Sequence, residues 1–351
     1  MGYINNTEKI NIYVPYATGR TLKNDAELFE VFKQTGREIN LNRFLSMLIL
    51  GYYNGYKQEL NETMSGIRRV LDANGVGDNH MNRLAEDLMN QVILQEVPKR
   101  KGKSPVRLPL KPTTETDQSI TEIISSLGPD DYISQYLCRM FMSYCEKPIY
   151  ERERIIYHDN MGFLEEACRD RSAISFTLPG KPGLVHHVVP YDVVYGSEEM
   201  YNYLLCQEYN SYTGKNEARS FRLCRIRRPS YYYPSEALDE RIIHFLEMMK
   251  KLGPQYAINE ETETCVRLTG TGQQLFRRVY IGRPVADRTE EMENGTALYY
   301  FKGSLDQLYL YFRRFDAGEA EVLYPDKLRI KLNQFHEEAI QLYRETVSIP
   351  E

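Results

Sequence analysis

The chain has 351 residues, with 44 Lys and Arg against 49 Asp and Glu, for a formal net charge of −5. At about 150 residues per domain this length makes two or three domains, each able to bury a core. The acidic balance excludes a globally basic nucleic-acid binder but leaves room for a local basic patch. The longest near-apolar stretch, Phe44 to Tyr53, falls far short of the ~20 residues that span a bilayer. The first residues show no basic run followed by an apolar one, so a cytoplasmic rather than a secreted protein is expected. Cys138, Cys145, Cys168, Cys206, Cys224 and Cys265 include no C-x-x-C spacing, which argues against a zinc ribbon and for reduced thiols. There are 28 Tyr and no Trp. Most of these rings are expected to fill cores, and any that cluster with Arg become candidates for base stacking.

In chain order, Lys9 to Pro15 alternates strictly. Ile10, Ile12 and Val14 point one way and Lys9, Asn11 and Tyr13 the other, as in a half-buried strand. A helix is expected from about Asn24 to Gln34, with Leu28, Val31 and Phe32 on one side. A second helix starts at Asn40, a good N-cap, with the stripe Leu41, Phe44, Leu45, Leu48, Ile49 and Tyr52. This order leaves one lone strand without a partner, so pairing with the same strand of a second copy is expected. Residues 8 to 57 resemble the ribbon-helix-helix domain, an intertwined dimer. That resemblance gives Lys9, Asn11 and Tyr13 the groove-reading role, and the start of the second helix, with Asn42 and Arg43, a place for a phosphate. One Lys, one Asn and one Tyr make a thin reading face, which favours dimerisation over DNA binding.

Residues 60 to 95 read as helical around a break at Gly75 and Gly77. The segment 98–112 holds six basic residues, four prolines and no acid, and reads as an extended, exposed tether rather than a primary binding site, though such a basic run could add phosphate contacts. Helices are expected at Gln118 to Leu127 and Asp130 to Cys145.

From Met161 a short helix passes into a strand ending near Leu178. Strands at Val185 to Tyr195, Tyr201 to Tyr209 and Arg219 to Arg228 follow at even intervals with Gly/Pro turns. That pattern marks a small, strongly bent antiparallel sheet or barrel. Within the fourth strand lie Arg219, Arg222, Arg225, Arg227 and Arg228, with no acid between Glu217 and Glu236. Nine tyrosines fall between residues 191 and 233. Arginines interleaved with aromatics suit a single-stranded nucleic acid, guanidinium forks taking phosphates and rings stacking on unpaired bases. The series I-S-F, H-H-V-V-P-Y, Y-L-L-C and R-S-F-R-L-C-R-I over residues 160 to 230 strongly resembles a WYL domain, an Sm-like β-barrel of bacterial regulators. The tripeptide naming that family is Asn202-Tyr203-Leu204 here. The resemblance implies a pocket lined by Ser175, His187 or His186, Tyr191, Tyr203, Arg219, Phe221, Arg222 and Arg225. Adjacent strand residues face opposite ways, so only one histidine enters it.

After a helix at Ser235 to Leu252, the elements read strand (Thr264 to Thr269), helix (Gly272 to Val279), strand (Pro284 to Thr289), strand (Ala297 to Gly303), helix (Ser304 to Phe315), strand (Glu319 to Tyr324) and helix (Pro325 to Glu345). That βαββαβ order suggests a ferredoxin-like sandwich, and it resembles the extension that follows WYL domains, which implies a role in dimerisation or in coupling a bound ligand to the rest of the protein. Gly270-Thr271-Gly272 is too short for a phosphate loop, and the six histidines form no metal-ligand set. No nucleophile motif appears, so neither an enzyme, a metal nor a cofactor is expected.

The expected fold class is therefore α+β multidomain. It comprises a ribbon-helix-helix domain (1–58), a helical region with a basic Pro-rich linker at 97–112 (59–158), a WYL barrel (159–234) and a ferredoxin-like extension (235–351). Together they resemble the WYL-domain accessory proteins of type VI-D CRISPR systems. The resemblance implies a non-enzymatic homodimer that binds single-stranded RNA and stimulates an RNA-guided RNase effector. The alternatives are a ligand-responsive transcriptional regulator reading operator DNA through the ribbon, and an interaction scaffold.

Overall fold

A computed structural model describes residues 9–33, 36, 38–93, 104–128, 132–233 and 237–344. Gln34, Thr35, the basic stretch 98–103, Asp130, Ser235 and Glu345, where expected elements end or the linker runs, lie outside the described residues. The chain divides into two compact units, Met1–Gly162 and Phe163–Glu351. Among the described residues no helix is long and apolar enough to cross a membrane.

In the first unit the expected strand forms as β1, Ile10–Val14, but it is not alone. It pairs antiparallel with β2, Val106–Leu110, with Ile12 opposite Leu108 and Tyr13 opposite Arg107. The segment expected to be an exposed linker therefore contains the partner strand, and the argument that β1 requires a second copy falls away. The alternation of Val106, Leu108 and Leu110 explains it. These side chains join Ile10, Ile12 and Val14 against the core, while Pro109 sits on the outer side of an edge strand that tolerates its missing N–H. Outside, Arg107 Nε donates to Asn11 Oδ1 at 3.0 Å.

Helix α1 spans Tyr16–Leu28, not Asn24 to Gln34. It begins directly after Pro15, whose fixed φ suits a helix start, and it stops where Glu30 takes φ of +53°. Helix α2, Leu41–Ala73, begins as expected, with the Asn40 side chain accepting from the Arg43 N–H at 3.1 Å. Phe44, Leu45, Leu48, Ile49 and Tyr52 are all buried on its inner stripe. After the turn at 74–77 come α3, Asp78–Leu88, and a π-helical turn, Met89–Ile93. Helices α4 (Asp117–Ser126), α5 (Ile133–Glu146) and α6 (Ile149–Ile156) complete the unit. At Gly51 a Cβ would meet the Ile155 carbonyl oxygen at 1.9 Å, so α2 and α6 approach backbone to backbone there.

A buried polar knot joins α1, α5 and α6. Arg152 lies 3.2 Å from Asp25 Oδ2, which also accepts from the Tyr144 hydroxyl at 2.9 Å. Burial pushes the Asp25 carboxyl up to about 6 against the pull of Arg152 and the Tyr144 bond. A raised carboxyl favours folding below its unfolded value of 3.8, and that share fades as pH rises through about 6.

Helix α7, His158–Asp170, spans the boundary at Gly162 and Phe163, and the second unit continues with β3 (Ile174–Leu178), β4 (Lys181–Tyr195), β5 (Asn202–Asn210), β6 (Lys215–Arg222) and β7 (Arg227–Tyr231). These five strands form one antiparallel sheet in the order β6-β5-β4-β3-β7. The expected single strand Arg219 to Arg228 is thus two strands on opposite edges, broken by a 3-10 turn at Leu223–Arg225. Flat, those edges would stand about 19 Å apart, four strand spacings. The connection from Arg222 to Arg227 includes a turn rising only ~2 Å per residue, so the sheet must curl strongly. Among the described residues no ladder joins β6 to β7, and the expected barrel is not closed.

Helix α8, Glu240–Leu252, covers the outer face of β5 and β6 through Ile242, Phe245, Leu246 and Met249 against Leu205 and Ala218. The remainder is β8 (Glu263–Leu268), α9 (Gly270–Arg278), β9 (Arg288–Glu291), β10 (Ala297–Lys302), α10 (Leu305–Phe312), β11 (Ala320–Tyr324) and α11 (Asp326–Arg344). The sheet order β11-β8-β10-β9, all antiparallel, is that of a ferredoxin-like βαββαβ unit. Only the expected strand Pro284 to Thr289 is displaced, its ladder starting at Arg288.

Replacing Arg152 by Met is expected to cost about 3 kcal/mol at pH 7.5 by stranding a buried carboxylate. Urea unfolding should show a smaller loss at pH 5, where Asp25 holds its proton; an equal loss at both pH values would contradict this account. Asn42 pins β2 to α2, its amide donating to the Lys111 carbonyl at 3.2 Å and accepting from the Lys111 N–H at 2.7 Å. Asn42→Ala should therefore lower stability by about 1–2 kcal/mol in the same assay.

Candidate nucleic-acid interface

The ladders of the curled sheet settle where each expected pocket residue points. Phe176 faces His186, Val188 faces Glu208, Glu208 faces Glu217, Cys206 faces Arg219 and Leu204 faces Phe221. These side chains share the inner face, whose apolar members Ile174, Phe176, Val188, Leu204 and Cys206 are buried. Ser175 opposite His187, and Tyr203 opposite Arg222, lie on the outer face. The two histidines do face opposite ways. His186 is the one that enters the interior, and His187, the expected site residue, is outside and exposed.

The inner cluster is an ion-pair network set among rings. His186 Nδ1 lies 2.6 Å from Glu208 Oε1, its ring stacks on Phe176 at 5.5 Å, and Phe221 meets it edge-on at 4.9 Å. Arg219 reaches Glu217 at 3.0 Å and Glu208 at 3.7 Å. The Arg run is therefore neutralised in part by carboxylates from its own and the neighbouring strand, an arrangement hidden in a linear count of acids. His186 Nε2 and Arg219 Nε are buried without a hydrogen bond.

The remaining expected residues do not join this cluster. Tyr191 sits under α8, its hydroxyl donating to Glu247, and that bond raises the phenol above its usual range. Tyr203 donates to Glu199 at 2.6 Å. Arg222 packs flat on Tyr201, the guanidinium 3.4 Å from the ring centre. Arg225 stands exposed on the 3-10 turn. The eight expected residues thus divide between two faces and a turn, not one pocket.

What the structure does assemble on the outside is a strip along β7 and its neighbour β3. Ser175 and Ser230 hydroxyls are 3.1 Å apart, and the His187 ring lies 4.1 Å from Tyr232. Tyr231 rests on Phe163 at 4.8 Å, and Tyr233 is 78% exposed. Arg228, exposed with φ of +52°, stands on the same edge strand, and Arg225 precedes it. Ser230 and Tyr232 were not among the expected site residues. The run Tyr231-Tyr232-Tyr233 beside Arg227-Arg228 was the available signal, but the distance across the turn to Ser175 and His187 appears only in the ladder.

In the first unit Lys9 and Tyr13 are exposed on the ribbon's outer face, with Asn11 held by Arg107. Asn40 and Asn42 spend their side chains on the α2 cap and on Lys111, so the helix start offers Arg43 alone of the expected pair Asn42 and Arg43 as a free contact. A cavity of about 340 Å³ opens beside Arg43 between Asn40, Ser46, Thr113 and His158. Among the described residues no group of three His, Cys, Asp or Glu is placed to hold a metal.

No protein-family model matches the chain, and no curated protein matches it in sequence. Among solved structures it is similar to one described as a CRISPR Cas-related protein, at 20% identity and a TM-score of 0.67, over 96% of this chain and 94% of that one. It also aligns with proteasome accessory factor B/C (PafBC) of Arthrobacter aurescens at 14% identity over 93% of this chain and 54% of that one. The TM-score there is 0.25, too low to describe a common fold. The chain shares the fold of the CRISPR Cas-related protein over nearly its whole length.

Proposed function

We propose that this protein is a non-enzymatic, CRISPR-associated accessory protein of the WYL type that binds single-stranded RNA. The observation that carries the reading is the outer strip of the curled sheet. There the tilted ring pair His187 and Tyr232 and the hydroxyls of Ser175 and Ser230 lie on β7 and its neighbours, with Arg228 exposed on the same strand and Arg225 exposed on the turn before it. The exposed faces of such rings can stack unpaired bases, while hydroxyls and guanidinium groups take the sugar–phosphate backbone. The shared fold with a CRISPR Cas-related protein supports the cellular setting. In the finer form of the proposal, the protein works as a homodimer beside a type VI-D effector and stimulates its RNA cleavage. Two linked sites raise the effective concentration of RNA at that enzyme.

A second reading rests on the ribbon. Pairing with β2 adds Arg107 and Lys111 to the face of Lys9, Asn11 and Tyr13. A two-stranded ribbon is of a size to enter the major groove of duplex DNA, the behaviour of an operator-binding regulator.

Fluorescence anisotropy with single-stranded RNA, duplex RNA and duplex DNA of equal length separates the two. Single-stranded RNA should bind tightest, with log K falling against log salt at a slope near −2.8 if roughly four phosphates are neutralised. Arg228→Ala should shrink that slope by about 0.7. Tyr232→Ala should cost about 1–3 kcal/mol of binding, and Arg219→Ala, removing a cation already held by Glu217, should cost less than Arg228→Ala. Tightest binding to duplex DNA, unaffected by Arg228→Ala or Tyr232→Ala, would transfer the function to the ribbon. Added to a type VI-D effector, the protein should raise its rate of RNA cleavage.

A further inference from the structure

Between α9 and β9 the chain makes a turn whose backbone is held at each residue from Val279 to Arg283. The Val279 carbonyl accepts from the Tyr311 hydroxyl at 2.6 Å, and the Tyr280 carbonyl from the Arg283 N–H at 3.2 Å. The Ile281 carbonyl accepts from the Arg314 guanidinium at 3.0 Å. Gly282 donates its N–H to Glu198 at 2.7 Å, and its carbonyl accepts from the Gln307 amide at 3.4 Å. With φ of +73°, Gly282 takes the third place of the turn, where a side chain is disfavoured. Tyr311 and Gln307 are themselves buried, so the turn is braced from inside the ferredoxin-like layer. Its apolar side chains nonetheless stand in solvent: Tyr280 is 70% exposed, Ile281 62%, and Val285, two residues beyond the turn, 65%.

Four arginines gather at the same place. Arg277 and Arg278 end α9, Arg283 closes the turn with its guanidinium 3.4 Å from the Arg277 carbonyl, and Arg314 reaches in from just beyond α10. All four are exposed. No Asp or Glu occurs from Thr264 to Ala286, and among the described residues none of the four has a carboxylate within 4 Å. Glu198 is already bonded to the Gly282 N–H. The end of α9 supplies only about half a negative charge against them.

Apolar side chains held outward on a braced turn mark a docking surface, and a preformed surface loses little conformational freedom on binding. Tyr and Arg are the residue types that dominate protein–protein binding energy. A phosphate backbone would engage the arginines but leave Ile281 and Val285 with nothing apolar to bury against. It would also meet one exposed ring where stacking on successive bases needs several. We propose that this turn docks a protein partner that offers an apolar recess with an acidic rim. Tyr280 and Ile281 enter the recess, and Arg277, Arg278, Arg283 and Arg314 meet the rim. The inference rests on the accessory-protein reading for the identity of that partner, the RNA-guided effector. It assigns the effector to residues other than those of the RNA-binding strip on β7.

Biolayer interferometry of the full chain on the immobilised effector, without RNA, reads the docking. Circular dichroism confirms that each variant is folded. Tyr280→Ser together with Ile281→Ser should weaken docking about tenfold, chiefly through faster dissociation. Arg277→Gln together with Arg278→Gln should slow association about fivefold at low salt and much less at high salt, where the rim charges are screened. Both variants should keep the single-stranded RNA affinity of the unaltered chain and lose its stimulation of cleavage. An effector that binds the unaltered chain and both variants alike would overturn this docking site and leave the accessory reading standing. An effector that does not bind the unaltered chain would overturn both. Docking unchanged in the arginine variant, with its RNA affinity lost, would reassign the surface to nucleic acid.

Discussion

The second unit depends on the shortness of one connection. From the end of β6 to the start of β7 the chain has four residues, three of them wound in a 3-10 turn, yet it must pass from one edge of a five-stranded sheet to the other. Only a tightly curled sheet satisfies that length. The curl gives the sheet an inside, where Phe176, His186, Glu208, Arg219 and Phe221 meet, and an outside whose edge carries Ser230 and Tyr232 next to Ser175 and His187. The division of arginines between an ion-paired interior, Arg219, and an exposed exterior, Arg225 and Arg228, follows from the same constraint.

Much of this was legible in the amino-acid order. Alternation located β1, the spacing of Phe44, Leu45, Leu48 and Ile49 with Asn40 before them located the start of α2, and the βαββαβ order of the last hundred residues came through with one strand displaced. These are local signals, each written within a dozen residues. The failures are of a different kind. Val106-Arg-Leu-Pro-Leu110 looks like a tether because its prolines and cations dominate the composition, and its strand character depends on a partner about a hundred residues earlier. Likewise Arg219 seemed unneutralised because acids were counted only beyond Glu217, whereas Glu217 itself pairs with it and Glu208 reaches it from across the ladder.

The candidate site was legible as a neighbourhood and not as a constellation. The resemblance to a WYL domain drew attention to the strands of the curled sheet, and strand periodicity correctly allowed only one histidine inside. Which histidine, and which arginines remain on the surface, depends on the break at Leu223 and on the bulge between Pro190 and Asp192. Neither has a distinctive local signature: no glycine marks the break, and Pro190 precedes a tyrosine that ends up under α8 through its bond to Glu247.

The close approach at Gly51 has a consequence for how such a sequence changes over time. A side chain at that position would have to displace the carbonyl of Ile155, and with it α6, the helix that brings Arg152 to Asp25. A site whose contribution is empty space is thereby tied to a charge pair on other helices. Substitutions at residue 51 should be inherited together with changes at 25 or 152, so that among diverged descendants the three positions would drift as one character.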